Sequence, residues 1–335
     1  MEKFINLMRF IAAFSFLCFY VIIVWILFFL NDEYTPNRFK NKIRLFIKDF
    51  FAHAMMAVFY ILLPRTFYTA TSKSLYNKKK ILFMSNHISE FDFVFMLKLF
   101  YLKKLNYNTI FVMKEEVLSL PIFGDVCRYC DFVTIDRSSS KKLEKYKEDV
   151  ENLGKDDVYS FVLFPEGTIY THETHANNLK YCKLNGYRTF ENVLYPKPGG
   201  IHKSLEILMK DEETVFLDST IFFNPFANNY TPLSEKFRML MFDSAKFNIN
   251  IITEIKTKEC LKEGFVEESF VKKEQLVTNF REKFEIYTKD EFVNIIKSVP
   301  EYNINELDIE ELTMFTPFGS FLIILYVLFI VKMLK

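Results

Sequence analysis

The sequence predicts an α/β fold, a mostly parallel sheet flanked by helices, with an N-terminal transmembrane helix before it and a C-terminal hydrophobic segment after it. Three observations predict this. From residue 80 onward, short runs rich in Phe, Ile and Val alternate with longer segments of helical spacing, as a strand-and-crossover chain requires. Residues 11–30 contain no charged side chain, and neither do residues 315–331.

The first apolar run is long enough to cross a bilayer, which takes roughly 20 residues as a helix. A cleaved signal peptide has a shorter apolar stretch and a small-residue cleavage site, so this run is expected to stay attached, as an anchor over residues 1–30. Lys3 and Arg9 precede it, whereas Arg38, Lys40, Lys42, Arg44 and Lys48 follow it. Cytoplasmic flanks are the ones enriched in Lys and Arg, so the bulk of the chain is expected on the cytosolic side. Residues 31–75 are expected to form an amphipathic, membrane-associated segment. Within it, residues 50–63 are almost wholly apolar but too short to span, which suits an interfacial or re-entrant helix, or a buried core helix.

Strands are expected at residues 81–84, 110–113, 132–135, 158–164 and 215–223, and helices at 93–105 and 141–153. Together they imply one functional domain over residues 76–300. Residues 301–335 are expected to form a closing hydrophobic membrane segment. Pro317 and Gly319 stand near its start, and Lys332 and Lys335 behind it argue against crossing, so spanning and insertion both stay open. The stretch 259–311 alternates charge with isolated apolar residues and carries no functional pattern of its own.

Composition narrows the function classes. With 43 Lys and Arg against 42 Asp and Glu, the net charge is +1, and nucleic-acid binders usually show a basic excess. No nucleic-acid partner is expected. Five cysteines are an odd number for a disulfide framework, so they are read as reduced thiols. Cys127 and Cys130 make a lone CxxC, which supplies two of the roughly four ligands a structural zinc takes. Small buried thiols are the preferred reading, and no metal is expected. His172-Glu173-Thr174-His175 spaces its histidines three apart, where a zinc-protease helix needs four. His53 and His202 have no identifiable partner in the sequence.

The chemistry-bearing residues follow the strands. Asn86 and His87 follow the first, Lys114 the second, Asp136 and Arg137 the third, and Pro165, Glu166, Gly167 and Thr168 the fourth. Ligands of open α/β sheets bind at the carboxyl ends of strands, so these residues should converge on one cleft. A histidine, two cations and a glycine turn suit an anionic substrate whose hydroxyl must lose a proton. His87 and Asp92 can meet if His87 lies in the turn and Asp92 in the first helical turn, leaving one imidazole nitrogen as a base. The competing reading is a capping box, with Ser89 and Asp92 satisfying the helix start. Arg137 offers a planar fork for phosphate oxygens, and Lys114 a point charge. Gly167 permits close backbone approach, and Thr168 adds a hydroxyl. Glu166 would repel an anion and is expected to brace Arg137 or another cation.

Asn86-His87-Ile88-Ser89-Glu90-Phe91-Asp92 and Phe164-Pro165-Glu166-Gly167-Thr168 resemble the first and third signature blocks of the glycerophospholipid acyltransferases. Lys114, Leu120, Pro121, Gly124 and Ile135-Asp136-Arg137 resemble the second block. Val193-Leu194-Tyr195-Pro196-Lys197 is similar to the branch that contains lysocardiolipin acyltransferase and its endoplasmic-reticulum relatives. The resemblance implies that His87 is the base, that Asp92 orients it, and that Lys114, Arg137, Glu166, Gly167, Thr168 and Lys197 place the substrate. It further implies an acyl-CoA donor as co-substrate, a lysophospholipid acceptor, a bilayer partner, no cofactor and an endoplasmic-reticulum membrane facing the cytosol. Two positions depart from the pattern: Ile169 stands where many relatives carry arginine, and Lys197 stands where that branch usually has arginine. The other readings are an inactive lipid-binding scaffold of the same fold and a lipid hydrolase, which lacks a Gly-x-Ser-x-Gly elbow.

Overall fold

A computed structural model describes residues 2–62, 66–76, 78–105, 108–135, 140–224, 248–281, 288–298, 304–313 and 315–333. At its centre is an eight-stranded sheet in the order β4-β3-β5-β2-β6-β7-β1-β8. The strands are β1 (Thr66–Ser72), β2 (Lys80–Ser85), β3 (Thr109–Met113), β4 (Val133–Thr134), β5 (Tyr159–Leu163), β6 (Thr214–Asn224), β7 (Asn248–Lys256) and β8 (Leu307–Thr313). Neighbours run parallel except β7 on β6 and β8 on β1.

The central strands read as unbroken apolar runs because both faces of the sheet are covered. Ile81, Phe83, Val162 and Leu217 point into one core, against α2 (Asn37–Leu62) and α3 (Asp92–Leu102). Their alternates Leu82, Met84, Phe161, Leu163 and Phe216 point into a second core, under α5 (Ser140–Leu153) and α7 (Gly199–Leu208). A third core packs Ala70, Phe222 and Ile252 against α8 (Phe265–Arg281) and α9 (Lys289–Lys297). Among the described residues the domain also contains α4 (Phe123–Tyr129) and α6 (His172–Asn185).

The sheet is wider than the sequence predicts. It takes in Thr66–Ser72, ahead of the expected boundary at 76, and Leu307–Thr313, beyond the one at 300. β1 and β8 pair in register from Thr66 with Thr313 to Ser72 with Leu307. Charge holds this edge as well. The fully buried Lys103 at the end of α3 donates to Glu310 (2.7 Å), contacts Asp308 (3.4 Å) and lies over the Tyr76 ring. The acidic alternation of β8 is therefore a partner set for a buried lysine, which would be costly to leave unpaired.

α2 is the core-helix alternative for residues 50–63. From Phe51 to Phe59 every side chain is buried. It runs along the sheet domain: Arg44 donates to the Tyr129 carbonyl (2.9 Å) and Lys48 to Asn108 (2.8 Å) and Asp131 (2.7 Å). Further along, His53 packs on Tyr101 and Phe59 on Phe91. On its other side lie α1 (Glu2–Tyr34) and α10 (Pro317–Met333). Tyr20 donates to the Leu322 carbonyl (2.7 Å) and Tyr326 meets the Ser15 hydroxyl (2.7 Å), so α10 runs antiparallel to α1. His53, without a partner in the sequence, bonds through Nδ1 to Thr316 (3.1 Å) at the start of α10. Leu7–Tyr34 and Asn37–Leu62 are each long and apolar enough to cross a bilayer, and α10 is shorter.

Candidate active site

The site forms where β2 ends and α3 begins. Asn86 leaves the strand with its side chain turned onto β6: its amide donates to the Ile221 carbonyl (2.8 Å) and its oxygen accepts from the Ile221 amide (2.8 Å). That two-point clasp replaces a strand pairing and fixes the next residue, His87. The imidazole Nδ1 lies 2.9 Å from Asp92 Oδ2, and the ring stacks on Phe164 with centroids 4.2 Å apart. With Nδ1 engaged, Nε2 is the nitrogen left to meet a substrate. The His87 side chain is 21% accessible and that of Asp92 0%, so the imidazole can be reached and the carboxylate cannot.

Asp92 orients the imidazole and also organises the turn that precedes the helix. Oδ2 also accepts from the amides of Ile88 (2.7 Å) and Ser89 (3.1 Å), and Oδ1 accepts from the Ser89 hydroxyl (2.7 Å). The helix, however, begins at Asp92 with Phe91 as its N-cap, so Ser89 is not the capping residue. Its oxygen accepts from the Phe91 amide (3.2 Å) within the turn. The carboxylate is thus a hub that folds residues 87–89 around itself and presents the imidazole.

The turn after β5 closes the other side. Gly167 adopts φ +69°, where a side chain is strained, and its amide donates to the Phe164 carbonyl (3.0 Å). Glu166 is buried, and among the described residues its hydrogen bonds go to backbone amides; the expected contact with Arg137 falls outside those residues. Oε2 accepts from the His87 amide and Oε1 from the Leu194 amide (2.8 Å). Burial pushes its carboxyl up to about 8, against the pull of those two backbone donors. Its place in the sequence beside Gly167 suggested a ligand-facing loop, but the side chain turns inward because two loop amides need an acceptor. The Tyr170 amide adds a bond to the His87 carbonyl (2.9 Å).

The remaining expected residues divide. Lys197 is half-buried, with its amide on the Pro165 carbonyl (2.8 Å), which sets it beside the β5 turn. Lys114 is exposed at the end of β3, two strands away from β2. Thr168 is half-buried within the turn. Arg137 and Asp136 lie outside the described residues. Gly124 of the second block lies against the Leu118 backbone, and a Cβ there would come 2.2 Å from its carbonyl oxygen. Cys127 and Cys130 are buried free thiols in and just after α4, and burial pushes each up to about 12. His175 is buried, bonded to the Phe190 carbonyl (2.8 Å) and stacked on Tyr170, whereas His172 is exposed.

Sequence reasoning missed the helix that frames this site. α8 lies in the stretch without a functional pattern, yet Glu274 accepts from the amides of Glu191 (2.9 Å), Asn192 (2.8 Å) and Val193 (3.2 Å). Polar residues at helical spacing read as a solvated face, and nothing local distinguishes a face that grips a loop.

The Acyltransferase family model matches residues 67–200. Among curated proteins, 2-acyl-1-lysophosphatidylinositol acyltransferase of Saccharomyces cerevisiae is 26% identical over 170 residues, covering 41% of this chain and 43% of that protein. Probable 1-acyl-sn-glycerol-3-phosphate acyltransferase 5 of Arabidopsis thaliana is 29% identical over 144 residues, covering 42% and 38%. Lysocardiolipin acyltransferase 1 of Gallus gallus is 28% identical over 130 residues, covering 37% and 33%. The chain thus spans less than half the length of these relatives. The crystal structure of the 1-acyl-sn-glycerophosphate acyltransferase of Thermotoga maritima is similar at 17% identity and a TM-score of 0.49, covering 83% of this chain and 98% of that one.

Proposed function

Because residues 67–200 form an acyltransferase-family domain, we propose that the chain moves a fatty acyl group from acyl-CoA to the free hydroxyl of a lysophospholipid. The observation that carries this reading is the His87–Asp92 pair, with one imidazole nitrogen held by a fully buried carboxylate on a ring that stays partly accessible. His87 takes the proton of the acceptor hydroxyl, and that oxygen attacks the thioester carbonyl. Asp92 holds the tautomer and stabilises the imidazolium that forms, as the inner pair of a hydrolase triad does, with the substrate hydroxyl in place of serine. The proton then passes to the departing thiolate, and no acyl-enzyme is formed.

Lys197, Lys114 and Arg137 are assigned to the acceptor's phosphate, and the β5 turn with Gly167 and Thr168 to the wall beside it. The relatives' printed names cover lysophosphatidylinositol, lysophosphatidate and lysocardiolipin acceptors, all of which carry phosphate. The lipid-facing side is assigned to the outer helices. Ile11, Phe14, Ile22 and Ile26 on α1 and Ile324 and Leu328 on α10 are exposed apolar side chains on helices whose inner faces are covered. Such a surface suits a bilayer, which concentrates lysolipid and acyl chain alike, here the cytosolic face of the endoplasmic reticulum. Incubating the purified chain with labelled acyl-CoA and a panel of lysophospholipids tests the proposal. Labelled diacyl product with one headgroup identifies the acceptor, and no product with any would leave a lipid-binding protein of the same fold.

A further inference from the structure

We propose that Glu274 is a positioning residue for acceptor binding: it holds residues 191–197 as a strap that sets Lys197 beside the β5 turn and supports Glu166 behind His87. This rests on the acyltransferase reading. The strap has no regular secondary structure, so its amides need partners from elsewhere. Glu274 takes three consecutive ones, from Glu191, Asn192 and Val193, and its Oε1 also accepts from the Asn192 side chain (3.0 Å). The next amide, of Leu194, belongs to Glu166, and the one after, of Tyr195, to Asn178 (3.0 Å). Pro196 has no amide hydrogen, and the Lys197 amide is on Pro165.

Two neighbouring turns of α8 reinforce the grip. Asn192 donates to Thr278 (2.9 Å) and accepts from Arg281 (3.1 Å), while the Tyr195 hydroxyl donates to Glu267 (3.0 Å). Positions 267, 274, 278 and 281 share one face of a helix by their spacing of seven, four and three. One helix face thus fixes one end of the strap. The other end carries Lys197, and the middle reaches His87 through the Glu166 carboxyl group, whose second oxygen accepts from the His87 amide. A charged acceptor serving several amides is stronger than neutral pairings and is the element of this chain whose loss would free the strap without touching the reacting atoms.

The test compares wild type, Glu274→Ala and Glu274→Gln in the full chain. Initial rates are measured with lysophosphatidate varied at saturating oleoyl-CoA, then with oleoyl-CoA varied at saturating lysophosphatidate. The expected result is an acceptor KM raised roughly tenfold in Glu274→Ala, about the loss of one charge-assisted hydrogen bond, with the donor KM within about twofold. Glu274→Gln keeps one acceptor oxygen and should fall between the two. An unchanged acceptor KM in a folded Glu274→Ala chain, or equal rises in both KM values, overturns the inference. A wild-type chain that transfers no acyl group to lysophosphatidate or to any other lysophospholipid of the panel overturns the reading beneath it, and this inference with it.

Discussion

Replacing Asp92 with Asn separates the two jobs that its carboxylate performs. In the folded chain it accepts from His87 Nδ1 (2.9 Å), the Ile88 and Ser89 amides (2.7 and 3.1 Å) and the Ser89 hydroxyl (2.7 Å). An asparagine oriented with its oxygen at the Oδ2 position keeps the first three as neutral bonds and turns its NH2 toward the Ser89 oxygen, which can accept. Each bond to a charged acceptor is worth roughly 1.5–3 kcal/mol and a neutral one about 1, and relief of a buried charge offsets part of the difference. The net cost is about 2 kcal/mol, or roughly 4 to 8 °C in melting temperature. Catalysis loses more, because asparagine cannot stabilise an imidazolium and favours the wrong tautomer. The expected fall is roughly a hundredfold to ten-thousandfold, about 3 to 5 kcal/mol of barrier. The assay pairs initial rates with labelled acyl-CoA against thermal melts in the same detergent. An Asp92→Asn chain that turns over within about threefold of wild type would remove Asp92 from the mechanism and leave it as a turn-former alone.

Other outcomes follow from the same structure. Ser89→Ala removes the hydroxyl that bridges Asp92 and the Phe91 amide, and should cost roughly 1–2 kcal/mol of stability in a melt while keeping most activity. The folded chain holds the Glu166 proton up to about pH 8, against an ordinary 4.5. Stabilisation from this group is therefore complete below about 4.5 and lost as pH rises toward about 8, so melting temperature should decline across that window. Glu166→Gln should flatten the decline, and identical pH slopes in the two chains would show that Glu166 does not titrate there. EDTA should leave transfer intact, whereas loss restored by zinc would return Cys127 and Cys130 to the site. Protease added to sealed microsomes should degrade the segment bearing His87, and its full protection would contradict the cytosolic assignment.

The sequence discloses the centre of this fold better than its edges. β2, β5 and β6 are legible because burial on both faces demands unbroken apolar runs, whose ends fall within a residue of those expected. β8 is not legible, because an edge strand that answers the buried Lys103 with Asp308 and Glu310 reads locally as a charged tail. β1 pairs with that strand from more than two hundred residues away, and no local pattern announces such a partner.

A similar division runs through the site. His87 and Asp92 sit close in sequence, so spacing could bring them together, and in place of a capping box with Ser89 at the N-cap the same carboxylate holds the turn amides ahead of a helix capped at Phe91. The part of Glu166 as acceptor for the amides of His87 and Leu194 is not legible locally, because Leu194 lies 28 residues further along and only the fold brings the two together. His53 has one partner within reach of sequence reasoning, Asp49 four residues earlier on α2 (3.8 Å), and a second, Thr316, that only the distant start of α10 supplies.

The account stands or falls on His87 as the base of an acyl transfer, and one comparison tests that directly. Wild type and His87→Ala, matched for melting temperature, are incubated with labelled oleoyl-CoA and the preferred lysophospholipid, and the diacyl product is counted. The account predicts product from wild type and at least about a hundredfold less from His87→Ala. Equal product from the two chains would contradict it.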